Sequence, residues 1–167
     1  MKTSLILIGL LAALAATTAA NGATIAYCNG SQLAGTFTAV KGSQGAGNIV
    51  YALRLKNVSS TTCFVTGLPR GQLLGKHGGA LPTHVRAAFP GALAAVLITM
   101  QPGESTRATA RFSPDVPGTG DKMPGACEPT SYSFRVTGQG GGTTTVKLAP
   151  PTPVCERGQL QFSAYGR

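Results

Sequence analysis

The chain has 167 residues, with 14 Lys+Arg against 5 Asp+Glu, a formal charge of +9, only 11% charged residues and no Trp. That length suits one domain with a real core and gives no case for two, and the wealth of Gly, Thr, Ser, Ala and Pro suits short strands joined by tight turns. A basic protein meets anionic surfaces, so the charge balance turns attention to anionic partners.

The chain opens with Met1 and Lys2, the apolar stretch "LILIGLLAALAA" and the small residues "TTAANGA". This is the pattern of a secretory leader, too short to span a bilayer, with cleavage expected after Ala20 and Ala23 as second choice. No paired arginines precede it, so export of the unfolded chain is favoured over the twin-arginine route. Tyr27 stands before Cys28 where a lipoprotein leader wants a small residue, so the expected product is soluble: residues 21–167, a single domain in the periplasm or outside the cell. Losing Lys2 takes the charge from +9 to +8.

Period-two alternation then recurs, and no amphipathic helix is evident. "QLAGTFTAV" (32–40) sets Leu33, Gly35, Phe37 and Ala39 against Gln32, Thr36 and Thr38. "NIVYALRLKN" (48–57) puts Ile49, Tyr51, Leu53 and Leu55 on one face, with Arg54 and Lys56 on the other. "NVS" at Asn57 matches a glycosylation sequon, but the leader and composition look bacterial, where that pattern usually arises by chance.

Ala92–Met100 is the longest later apolar run and too short to cross a membrane, so no transmembrane segment is expected after the leader. "VLITM" (96–100), the turn "QPGE" and "STRATARF" (105–112) read as a hairpin, with Pro102 and Gly103 at the centre of a type II turn. In its returning strand Thr106, Ala108, Ala110 and Phe112 face one way and Arg107, Thr109 and Arg111 the other. "SYSFRVTG", "QGGG" and "TTTVKLAP" make a second hairpin, and "GQLQFSAYG" (158–166) is a final strand. The rhythm is that of an all-β, immunoglobulin-like antiparallel β-sandwich.

Four cysteines, Cys28, Cys63, Cys127 and Cys155, allow three pairings in an oxidising compartment. The pairing Cys28–Cys63 with Cys127–Cys155 is favoured, because each bridge would join strands adjacent in a meander. No C-x-x-C pair signals zinc or a redox dithiol.

"YC", "LRLKNVSSTTCFVTGLP", "LLGKHGGALP", "VLITMQPGESTRATARF", Cys127 and "VCERGQLQFSAYGR" follow in order and resemble the exported bacterial family catalogued as domain of unknown function 4232. The resemblance spans about Tyr27 to Arg167, its most specific part being "C-x-x-x-G-x-P" from Cys63. Many members of that family resemble lipoproteins, which this chain does not. The resemblance implies an immunoglobulin-like sandwich outside the cytoplasm, and it supplies no activity and no functional residues.

The acidic groups are Glu104, Asp115, Asp121, Glu128 and Glu156, beside turns or cysteines and without the facing carboxylate pair of a glycosidase. Asp115 and Asp121 share a Pro/Gly-rich loop, 113–126, that reads as an exposed connection without calcium-loop spacing. His77 and His84 could begin a copper or zinc site, but Lys76 is close by and no companion ligand is near in sequence. No G-x-S-x-G or phosphate-loop lysine accompanies the serines and glycines. The chain is therefore read as non-enzymatic and without a cofactor.

The basic residues carry the sharper expectation. Arg54, Lys56, Arg107, Arg111 and Arg135 stand opposite the apolar faces of their strands and should form a cationic outer surface for anionic envelope polymers or an envelope protein. Nucleic acid is a poorer partner, because no aromatic stripe interleaves the charges. The alternative is a secreted enzyme or metal carrier using His77, His84 and the 113–126 loop.

Overall fold

The computed structural model describes residues 24–92, 96–121 and 127–167. The expected leader, part of the Ala92–Met100 run and the end of the 113–126 loop lie outside the described residues. The strands are β1 (Ala26–Tyr27), β2 (Leu33–Ala39), β3 (Ile49–Asn57), β4 (Cys63–Val65), β5 (Arg70–Leu74), β6 (His84–Ala87), β7 (Ile98–Met100), β8 (Ser105–Phe112), β9 (Ser131–Thr137), β10 (Thr143–Thr152) and β11 (Gln159–Phe162). Among the described residues no helix is long and apolar enough to cross a membrane.

These strands form two sheets, ordered β1-β4-β7 and β5-β9-β10-β2-β3-β8-β11-β6. The expectation of a purely antiparallel fold is corrected: β1 pairs with β4, β10 with β2 and β11 with β6 in parallel. Parallel neighbours need long crossovers, and here the connections run from one sheet edge or one sheet to the other.

The larger sheet is rolled. β9 and β11 are five strand spacings apart in its order, a path of about 24 Å if the sheet were flat. Phe134 of β9 and Phe162 of β11 nevertheless have ring centroids only 5.8 Å apart. Phe37 of β2 lies between them, 5.6 Å from Phe134 and 5.9 Å from Phe162, and Tyr51 of β3 is 5.5 Å from Phe37. The inner face therefore wraps around one aromatic cluster, and each fully buried ring contributes about 1.5–3 kcal/mol of apolar burial. The two edges meet as well. Leu73 N–H of β5 donates to Thr83 Oγ1 at 2.9 Å, and Leu81 N–H to the Leu73 carbonyl at 2.9 Å, just before β6 begins. The sheet is accordingly partly barrel-like.

β3 and β8 follow the expected alternation, and β2 does so except at Gly35, which is exposed; Phe37, Tyr51, Leu53, Leu55, Ala108, Ala110 and Phe112 are buried. The β9–β10 hairpin forms with Thr137 opposite Thr143. The hairpin expected across Pro102–Gly103 does not. Its turn exists, with Glu104 N–H on the Gln101 carbonyl at 3.0 Å and Gly103 at φ +85°, but β7 pairs with β4 in the small sheet while β8 pairs with β3 and β11. Asn57 explains the parting. Fully buried at the end of β3, its amide donates to the carbonyls of Thr61 (2.7 Å) and Met100 (3.0 Å), while its oxygen accepts from Ser59 N–H (3.0 Å) and Ser59 Oγ (2.7 Å). The chain leaving β7 is held to the end of β3 before β8 starts, so the sequon asparagine is a structural joint.

Both expected disulfides are present, with Cα separations of 4.9 Å for Cys28–Cys63 and 5.4 Å for Cys127–Cys155. The meander expected at each bridge is found at neither, since β1 and β4 are parallel neighbours with β2 and β3 between them in the chain. Cys28 follows β1, and its N–H reaches the Phe64 carbonyl of neighbouring β4 at 2.9 Å. Neither Cys127 nor Cys155 lies in a strand; their bridge ties a loop to the helical turn α1 (Cys155–Gly158), within which Glu156 and Arg157 are left-handed at φ 56° and 57°. The final strand is also shorter than expected, ending at Phe162.

Candidate functional site

The outer face of β3 and β8 collects basic side chains because buried and exposed positions alternate on both strands. Arg54 stands directly opposite Arg107, Lys56 opposite Ser105, and Arg111 opposite Val50. Arg107 exchanges backbone hydrogen bonds with Gly166, N–H to carbonyl at 2.9 Å and back at 2.8 Å. Those groups point away from β3, so Arg54 and Arg107 occupy a pair that shares no backbone hydrogen bonds, where Cα atoms approach to about 4.5 Å and side chains lie closest. Two like charges so placed repel, at a cost of a few tenths to about 1 kcal/mol.

The charge continues across the sheet. Leu148 of β10 pairs in parallel with Phe37 of β2, which sets exposed Lys147 level with Thr36, the partner of Arg54. Lys147, Thr36, Arg54 and Arg107 thus form a row over four adjacent strands. Small neighbours, Ala34, Gly35, Thr36 and Ser105, leave a shallow groove of about 340 Å³ beside Arg54 and Lys56. Glu104 pairs with Arg167 at 3.9 Å, and the Asp121 carboxylate is taken up by backbone N–H groups. Sequence reasoning missed Lys147, although its flanking Val146 and Leu148 carry the signal by being buried.

Arg111 pairs across to Gln161 of β11, and Gln161 to Arg86 of β6, so exposed Arg86 lies two strands beyond Arg111, about 10 Å away on the same face. Arg135 is apart. It sits on β9 between Gln72 and Thr145, in the same sheet but three strand spacings from β3, where the sheet has curved away.

The other expected candidates separate. Exposed His77 lies in the turn after β5. Exposed His84 opens β6 and lines a cleft of about 490 Å³ with Gly118 and Thr119 of the 113–126 loop. His84 has cationic company there, Arg86 and Arg157, which repels a metal ion. Glu104 is a turn residue, its Oε2 accepting Gln101 N–H at 2.8 Å.

Asp121 is a clamp, contrary to an exposed connection. One carboxylate oxygen accepts Gly118 N–H at 2.8 Å and Glu156 N–H at 2.6 Å, and the other Arg157 N–H at 2.7 Å. Burial pushes this carboxyl up, but those three donors together with Glu128 pull it down further, and it ionises below the ordinary carboxylate value. Its oxygen and the sulfurs of Cys127 and Cys155 lie within 4.8 Å of one another. The sulfurs are bonded to each other and the carboxylate is filled with backbone donors, so this cluster is a brace and not a metal centre.

No curated protein and no solved structure matches the chain. A family model matches residues 28–166, from the first cysteine to the penultimate residue, and by that match the chain belongs to the family described as domain of unknown function DUF4232.

Proposed function

We propose that the protein is an exported, non-catalytic binding module that holds anionic envelope polymers, or an acidic envelope protein, on the cationic outer face of its large sheet. The observation that carries this reading is the closely opposed Arg54–Arg107 pair, extended by Lys147, Lys56 and Arg111. An anion between the two guanidinium groups relieves their repulsion and gains charge-assisted hydrogen bonds. The dispersed acidic groups, one in a turn and one clamped by backbone, support a non-enzymatic role, and two disulfides support an oxidising compartment. Two sheets facing one core support a variant of the immunoglobulin-like sandwich with its larger sheet rolled.

Retention on an anionic polysaccharide column and on anionic lipid vesicles tests the reading. Arg54→Ala with Arg107→Ala should elute at clearly lower salt than the parent, while Arg135→Ala, far from the row, should elute close to it. Equal retention of the double variant and the parent would remove the cationic face from the account.

A further inference from the structure

The cleft at the β6–β11 edge is lined by residues of β6, the 113–126 loop and the α1 turn. β6 and β11 run parallel with Gln159 beside His84, and these two line the cleft together with Arg86. The α1 turn completes the lining, and there Glu156 and Arg157 are both held in a left-handed conformation that disfavours residues bearing a side chain.

Three features keep that turn in place. The Asp121 carboxylate binds the backbone N–H groups of Glu156 and Arg157. The Cys127–Cys155 bridge anchors the residue before them. Gly118 and Gly120 seat the two side chains: a methyl group added at Gly118 would lie 2.6 Å from Glu156 Cγ, and one at Gly120 would lie 2.8 Å from Arg157 Cδ. The side-chain stems rest on bare backbone and are aimed by it. Such pre-positioning of exposed polar groups lowers the ordering cost of binding.

We propose that this cleft binds a hydroxylated small anion, the chemistry of an acidic sugar unit. Arg86 and Arg157, from β6 and the α1 turn, line the same cleft together with His84, and guanidinium groups take carboxylate or phosphate oxygens in paired hydrogen bonds. Glu156, which accepts from the Gln159 amide, and Thr119 offer the acceptors and donors that sugar hydroxyls need. The volume, about 490 Å³, lies in the range of small-ligand sites and suits one or two sugar rings. The site uses none of the residues of the Arg54–Arg107 row and stands or falls independently of it.

The test is a titration of the oxidised full-length mature protein, followed by amide chemical shifts, with glucuronate, glucose 6-phosphate, acetate and glucose as probes. Glucuronate or glucose 6-phosphate should bind saturably with a Kd near about 1 mM, and the comparison of the two identifies the anionic group. Acetate and glucose, each carrying half of the chemistry, should bind at least about tenfold more weakly. Arg86→Ala and Arg157→Ala, on different elements, should each weaken binding about tenfold with the remaining spectrum intact, and Gly118→Ala should weaken it by displacing Glu156 while leaving both arginines present. Arg54→Ala with Arg107→Ala should leave it unchanged. No saturation by either acidic sugar at about 20 mM, equal binding of acetate, or binding indifferent to both arginine variants would overturn the proposal.

Discussion

Asn57 shows how much one residue can decide in this chain. Its side chain satisfies two carbonyls and two Ser59 donors at a fully buried position, joining the end of β3 to the exits of β4 and β7. Asn57→Ala should cost about 3 kcal/mol, read as a lowered denaturant midpoint with unchanged slope, because it leaves buried carbonyls without a donor. The sequence displayed this asparagine as a sequon, and only burial separates a joint from a glycan acceptor. Asp121 was equally mute, since a clamp on backbone N–H groups 35 and 36 residues away leaves no local pattern. Asp121→Asn should destabilise by about 1 kcal/mol, a figure reduced for its exposure to solvent. Because the folded carboxyl ionises below its ordinary value of 3.8, its contribution is present above that pH and is lost as pH falls through the lower folded value. Thermal midpoints of parent and variant should therefore differ by a constant amount at neutral pH and converge in strong acid.

At the scale of elements, the sequence displayed β2, β3, β8, β9 and β10, because each buries one face of a sheet and alternation records that burial directly. It did not display β5 and β6. In β5 the buried Leu73 and Leu74 are consecutive, and β6 has no fully buried residue, as edge strands with one paired side permit. The β7–β8 turn was legible and its partners were not, since turn chemistry fixes the local reversal while long-range pairing chooses the sheet. The same limit applies to the cysteines: parity and compartment pointed to two bridges, but Cys127–Cys155 joins a loop to a left-handed turn that no spacing announces. Cys28→Ala with Cys63→Ala removes a bridge between residues 35 apart, which the loop-entropy model values at about 3.5–4 kcal/mol. Under oxidising conditions denaturant unfolding should show a loss of that order, with amide exchange accelerated first in β1 and β4. Unchanged stability would assign the bridge no part in holding the small sheet.

For the whole molecule, what the sequence supplied was the sign and sidedness of the surface. Arg54, Lys56, Arg107 and Arg111 fall on one outer face because strand period is two and the cores of β3 and β8 are apolar. Their assembly with Lys147 into a row depends on the parallel β10–β2 pairing, and the separation of Arg135 depends on the roll of the sheet; both are set by contacts distant in sequence. The cleft at α1 was half legible, in that His84 and the 113–126 loop do share it, but its character is set by Arg86 and Arg157. The central claim, that the row is an anion-binding face, is met most directly by the salt dependence of affinity for an anionic polysaccharide. The logarithm of affinity should fall linearly with the logarithm of salt concentration, and replacing Arg54 and Arg107 together should make the slope shallower by about 1 to 2 as contacts and released counterions are lost. An affinity indifferent to salt, or a slope that the double replacement leaves unchanged, would contradict it.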